Sequence, residues 1–302
     1  MISKKAIKKK FRRNFIKTNS ARDAWSKIIE EYKITNPKGK IILPAYIGWS
    51  PNEGSGIFDS VLKSGLKFDF YDLSLHLDIN FEDLKQKTIK DKSQLVLLVH
   101  YFGFVDSKYD KITKWLSEKN IFFVEDCAHA WLTDLIGGVC GRKGAFSFYS
   151  LHKLLPLNTG GIMVNNSPEE NLKPQISPFF ELNYDLFSIY SIRRSNYNYL
   201  VNLLNKINGI EVIYKKLEDG ICPQTLPVIV EDYDRTKLYH QMNDKGYGMV
   251  SLYHTMIKQL DNSSSQSANT LSKNLFTFFI LKLFLEKEIT KSNNLIKYVC
   301  KE

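Results

Sequence analysis

Short apolar runs at Ile41–Leu43, Lys67–Tyr71, Leu95–Val99, Ile121–Val124 and Ala145–Tyr149 alternate with helical patterns near Ala21–Ile34, Gly56–Lys63, Phe81–Lys87 and Tyr109–Lys119. Runs this continuous belong to strands buried on both faces rather than to a sheet with one wet side. The alternation predicts an α/β fold: a mostly parallel central sheet, helices on both faces, and ligands at the carboxyl ends of the strands. Site residues are therefore expected in the loops that leave those strands.

The texture changes after Met163–Asn166. Pro168, Pro174 and Pro178 mark a connection, a helical pattern covers about 183–206, and Pro227–Val230 reads as a strand of a smaller C-terminal α/β domain. We place a basic N-terminal tail at 1–17, a large domain at 18–175 and a small domain at 176–302. At 302 residues with 43% hydrophobic content the chain can bury a full core. The polar run Asp261–Ser267 reads as a mobile surface loop.

A formal charge of +10 suggests nucleic acid until it is located. Eight of the 42 basic residues lie in the first 17 positions, leaving 34 against 32 acids, so the body is near neutral. The excess is a tail without interleaved aromatics, which argues against a nucleic-acid module. A solvated extension or helix start accounts for it, and contact with an anionic membrane surface is the other reading. Cys127, Cys140, Cys222 and Cys300 show neither metal nor disulfide spacing, so no metal is expected and a reducing cytoplasm fits. No apolar run has the length of a signal peptide or a membrane span.

The chemistry concentrates in Phe122–Ala130 and Gly144–Gly161. An apolar strand ends on Asp126; 27 residues later Lys153 follows a Ser-rich strand and precedes Gly160–Gly161. Pyridoxal phosphate asks for such a pair: an amine for its aldehyde, and a carboxylate that keeps the pyridine nitrogen protonated. Each residue also has an ordinary reading. Asp126 suits a helix N-cap, Lys153 a solvated charge, and His129 a hydrogen-bonded core position.

From about Ile41 to Val164 the chain resembles the DegT/DnrJ/EryC1/StrS group of pyridoxal-phosphate-dependent sugar aminotransferases. The resemblance is carried by Glu125-Asp126-Cys127-Ala128-His129-Ala130, Gly141-Arg142-Lys143-Gly144-Ala145-Phe146-Ser147-Phe148, Lys153 and Gly160-Gly161. Upstream, Leu43-Pro44-Ala45-Tyr46 and Val99-His100-Tyr101-Phe102-Gly103 are similar to the family's proline-led loop and H-x-x-G strand end.

The resemblance implies fold type I, the aspartate-aminotransferase-like architecture, with pyridoxal 5'-phosphate as cofactor. It implies that Lys153 bonds the cofactor and moves the proton, that Asp126 meets the ring nitrogen, and that His129 lies near the ring hydroxyl. For the phosphate it points to Ser147, or to Ser150 because the stretch from Ser147 to Lys153 is one residue longer than the family's, together with the helix start at Ala21 and Arg22. Tyr46 is preferred over Trp49 as the ring that stacks on the pyridine. Asn183 stands for a segment that crosses a homodimer, with Asp185 where the family has arginine. Tyr253-His254 matches a histidine near the substrate cleft. The implied reaction carries an amino group, from glutamate as donor, to a keto group of a nucleotide-linked sugar in surface polysaccharide synthesis. A pyridoxal-phosphate sugar dehydratase and a non-catalytic relative are the alternatives.

Overall fold

The computed structural model describes residues 13–88, 93–166, 184–231, 234–245, 253–260 and 265–280. Its main sheet has seven strands: β1 (Asn14–Thr18), β2 (Lys40–Pro44), β3 (Lys67–Tyr71), β4 (Gln94–Val99), β5 (Phe122–Asp126), β6 (Phe146–Ser150) and β7 (Gly161–Asn165). In space they run β1-β7-β6-β5-β4-β2-β3. The five from β3 to β6 are parallel, β7 is antiparallel to β6, and β1 is antiparallel to β7.

The parallel strands are buried because helices cover them. In α1 (Ala21–Thr35) the residues Ala24, Trp25, Ile28, Ile29 and Tyr32 recur at helical spacing and are buried, so one stripe faces the sheet. Trp25 stacks on Phe148 of β6 at 5.6 Å. Ser20 caps this helix, its hydroxyl accepting the Asp23 N–H at 3.1 Å. The remaining helices of this half are α2 (Phe58–Ser64), α3 (Phe81–Thr88) and α4 (Tyr109–Glu118). The strand order reverses between β2 and β4, and there the loops part to leave a cleft at the carboxyl ends.

After α5 (Leu186–Leu204), strands β8 (Ile210–Val212), β9 (Thr225–Val230) and β10 (Leu275–Phe279) form a second, antiparallel sheet in the order β10-β9-β8. Helices α6 (Arg235–Asp244) and α7 (Gln266–Asn274) accompany it. The turn after β4 ties it to the first sheet. Phe104 stacks on Tyr214 at 3.9 Å, and the Gln224 N–H donates to Phe102 O at 2.7 Å. Gly103, at φ +93°, passes so close that a Cβ there would stand 2.4 Å from Cys222 O.

Two boundaries differ from the sequence reading. Residues 14–17, assigned there to a basic tail, form most of β1, and the Arg13 guanidinium is buried against Asp134, Gly141 O and Tyr149. A charge count cannot reveal a cation whose acidic partner lies 121 residues away. In the polar run at 261–267, Ser265 caps α7 by accepting the Ala268 N–H, so its last residues are a helix start rather than a loop. Among the described residues no helix is long and apolar enough to cross a membrane.

Candidate active site

A cleft of about 680 Å³ opens at the strand ends. Asp126 closes β5, His129 follows one turn later, Ser150 closes β6 and Lys153 lies in the loop beyond; all four line the cleft with Ala21 and Arg22 of α1. The loop after β2 supplies Trp49 and Glu53, and the second half of the chain supplies Tyr253 and His254.

Strand alternation sends the two adjacent acids of β5 to opposite faces. Glu125 turns away from the cleft and accepts from His100 Nε2 at 2.9 Å, Tyr109 OH at 2.8 Å, and the amides of Gly141, Lys143 and Gly144 at 2.6, 2.8 and 2.9 Å. Burial pulls its pKa up, but the hydrogen bonds from His100, Gly144 and Lys143 prevail and hold it at about 2. It is a structural anion that folds the 141–144 loop. Asp126 faces the cleft with one oxygen on the Ala128 N–H at 2.8 Å; among the described residues its other oxygen has no hydrogen-bond partner. Burial raises Asp126 to about 6, against the opposing pull of the hydrogen bond from the Ala128 amide.

Lys153 Nζ lies 2.7 Å from His129 Nε2, while His129 Nδ1 accepts the Phe102 N–H at 3.1 Å. An imidazole that accepts at Nδ1 carries its proton on Nε2, so it donates to the lysine, which must then be a free amine. Burial lowers the proton affinity of both groups, which is the direction that state requires. Phe102 sits at φ +55°, a conformation that costs a non-glycine residue about 1 kcal/mol or more, and its amide is what fixes the tautomer.

Of the two serines proposed for a phosphate, Ser150 lines the cleft and Ser147 does not. Ser147 is on the opposite face of β6, bonded to Tyr149 OH at 2.8 Å and to Arg13 at 3.2 Å. The two positions differ by an odd number of residues, which in a strand is a change of side. Phe148 and Ser150 are the cleft-facing pair.

Tyr46 is fully buried and packs against Tyr101 and Tyr253 instead of facing the cleft. Trp49, 42% exposed at the mouth, takes the cleft position. Its chain turns past Gly48, which lies against the Tyr253 ring. Asn183 lies outside the described residues.

Glu53, His100 and His152 also line the cleft; His100 belongs to the H-x-x-G strand end read in the sequence, whereas Glu53 was not singled out there. His152 carried one signal, adjacency to Lys153; Glu53 carried none, because a loop of seven polar and small residues has no period. Behind Asp126, the ligand atoms of His100, Cys127 and Cys140 lie within 4.8 Å of one another. Burial keeps both thiols protonated, and His100 is committed to Glu125.

Residues 12–176 match the DegT/DnrJ/EryC1/StrS aminotransferase family. A UDP-4-amino-4,6-dideoxy-N-acetyl-beta-L-altrosamine transaminase of Campylobacter jejuni is 26% identical over 141 residues, 46% of this chain and 36% of that protein. GDP-perosamine synthase of Escherichia coli O157:H7 is 30% identical over 91 residues, 29% of this chain and 24% of that protein. The chain thus spans about a third or less of the length of these curated relatives. Among solved structures, a DegT DnrJ EryC1 StrS aminotransferase from Brucella abortus superposes with a TM-score of 0.72 at 17% identity, covering 95% of this chain and 86% of the other.

Proposed function

This chain belongs to the DegT/DnrJ/EryC1/StrS aminotransferase family, and from that premise we propose a pyridoxal-phosphate-dependent sugar aminotransferase. It replaces a keto group of a nucleotide-linked sugar with an amine, takes glutamate as donor, works as a homodimer and serves surface polysaccharide synthesis. The observation that carries this reading is the meeting of the Lys153 amine and the Asp126 carboxylate in one cleft at the strand ends. The sugar names of two relatives support the substrate class.

The residues present suit the cofactor. Asp126 has an oxygen to spare for a ring nitrogen, Lys153 is held as a free amine, and the Ser150 hydroxyl lies in the same cleft as the first residues of α1. At about 680 Å³ the cleft falls within the range of about 300–1,000 Å³ usual for small-molecule sites. When bound, the cofactor supplies an electron sink for charge that develops on carbon.

The chain's own residues do the rest. Asp126, pushed to about 6 by burial, is poised to ionise fully once a cation stands beside its unshared oxygen. Lys153 Nζ, free of its proton, is the base that removes a proton from the substrate carbon and returns it. His129 Nε2–H orients that amine, and the Phe102 amide orients His129. Tyr253, partly buried in the lining of the cleft with its ring stacked 6.4 Å from that of His129, shields them from water.

Purified protein mixed with pyridoxal phosphate is expected to gain a visible absorption band that is missing in Lys153→Ala, and glutamate is expected to bleach it. A band that persists in Lys153→Ala overturns the role of the amine. A band that glutamate leaves untouched overturns glutamate as donor.

A further inference from the structure

Three segments meet along one edge of the cleft. Ser150, the last residue of β6, is paired across β7 with Gly161, whose partner on β1 is Thr18. The chain then turns into α1. A Cβ on Gly161 would stand 2.2 Å from the backbone carbon of Ser20, so only glycine lets the helix start lie against this edge. Ala21 and Arg22, whose N–H groups have no acceptor within the helix, line the cleft beside Ser150. The Arg22 guanidinium is partly committed elsewhere: it donates to Glu53 O at 2.6 Å and lies 3.7 Å from the Asp59 carboxylate.

Ser150 is 1% exposed, and its hydroxyl lies 3.1 Å from His152 Nδ1. The proton decides what that contact offers a ligand. With His152 neutral and protonated on Nε2, Ser150 spends its only hydrogen on Nδ1 and shows the cleft nothing but lone pairs. With His152 as imidazolium, Nδ1–H donates to Ser150 Oγ, and the hydroxyl hydrogen is released to a new acceptor. An anion favours the second arrangement twice over, by accepting the hydrogen and by stabilising the charge.

We propose that Ser150 and His152 act as a pair that holds a phosphate monoester dianion at this edge, Ser150 O–H donating to the phosphate and His152 Nδ1–H donating to Ser150 Oγ. The site takes up one proton as it fills, and that proton resides on His152. His152 is a positioning residue, acting through Ser150. The inference rests on the cofactor reading, since pyridoxal phosphate is the monoester the cleft is taken to bind; the diphosphate of a nucleotide sugar is the other source of phosphate here. The titratable groups facing His152 are Lys153, from the next position, and Glu53, from the loop after β2. Burial lowers its proton affinity and Glu53 opposes this, with a net downward shift that an arriving anion would counter.

The test titrates pyridoxal phosphate, pyridoxal and UDP into wild type, His152→Gln, Ser150→Ala and the double variant. The two aldehydes are followed by the visible band and UDP by calorimetry. His152→Gln is expected to weaken pyridoxal phosphate about ten- to hundredfold, the range for a hydrogen bond to a charged group, and to leave pyridoxal and UDP unchanged. Ser150→Ala is expected to do the same, with the double variant no worse than either alone. Wild-type affinity is expected to fall as pH rises through the histidine range, with a flatter dependence in His152→Gln. Equal losses for both aldehydes, which indicate packing alone, would overturn the proposal. So would unchanged pyridoxal phosphate affinity, or a loss confined to UDP. A wild type that shows no band with either aldehyde defeats the cofactor reading and this inference together; normal bands in wild type and His152→Gln alike defeat the inference only.

Discussion

The Lys153 amine accepts a hydrogen bond from His129 Nε2 at 2.7 Å, and the Phe102 amide bonded to Nδ1 is what leaves that proton available. A backbone group thus selects the charge state of a side chain two residue contacts away. Removing the donor, as in His129→Leu, is expected to slow the reaction of Lys153 with pyridoxal about tenfold, the worth of one such hydrogen bond. His129→Gln retains an N–H donor and is expected to recover much of the rate. Stopped-flow absorbance checks both, and a leucine variant as fast as wild type would show that the contact is incidental.

Asp126 gives the cofactor-free protein a pH dependence of unusual sign. Its carboxyl rises from 3.8 to about 6 on folding, so between those values the native state binds more protons than the unfolded one. Stability therefore falls as pH rises through that window, by roughly 3 kcal/mol for a shift of about two units. Asp126→Asn is expected to be more stable than wild type at neutral pH by up to that amount, and equal to it below about pH 4. Urea titrations across pH measure the difference, while loss of the pyridoxal phosphate band shows what the charge is kept for.

Glu125 has the opposite sign. Held at about 2 from an ordinary 4.5, it contributes stability that is complete above 4.5 and disappears as pH falls through about 2. Glu125→Ala leaves His100, Tyr109 and three amides without their acceptor, and is expected to cost about 3–5 kcal/mol. Denaturant midpoints test this, and a variant within about 1 kcal/mol of wild type would mean that water replaces the carboxylate.

Gly161→Ala is expected to displace the start of α1, because the added carbon meets backbone rather than a movable side chain. The expected result is a loss of several kcal/mol in stability, as for other overpacked sites, with weaker pyridoxal phosphate binding even where the protein still folds. Amide exchange over residues 14–24 would show whether the helix start has moved.

Arg13→Ala is expected to be destabilised by about 3 kcal/mol, since Asp134 and Tyr149 lose a buried cation to which both are bonded. A chain in which Arg13 belonged to a solvated tail would show no effect in the same urea titration.

Much of the fold was legible because buried parallel strands and amphipathic helices write their periods into adjacent residues. The predicted Lys67–Tyr71 strand coincides with β3, and the predicted Ala21–Ile34 helix ends one residue short of α1. β1 was not legible. Its Asn-Phe-Ile-Lys-Thr follows a cluster of cations, and only pairing with β7 makes it a strand. The candidate site divides in the same way: Asp126, His129, Lys153, Ala21 and Arg22 share one cleft, whereas Tyr46 packs into the core behind it.

The chain's order of residues alone determined that an acid and an amine would stand at neighbouring strand ends, since each lies a residue or a short turn beyond its own apolar run, and periodicity is a local property. Tertiary structure decided which hydroxyl faces the cleft, which aromatic ring stands at its mouth, and that Lys153 is a free amine. Those depend on the side of a strand, on the path of a loop and on a backbone amide at Phe102, contacts between segments that no stretch of sequence contains by itself.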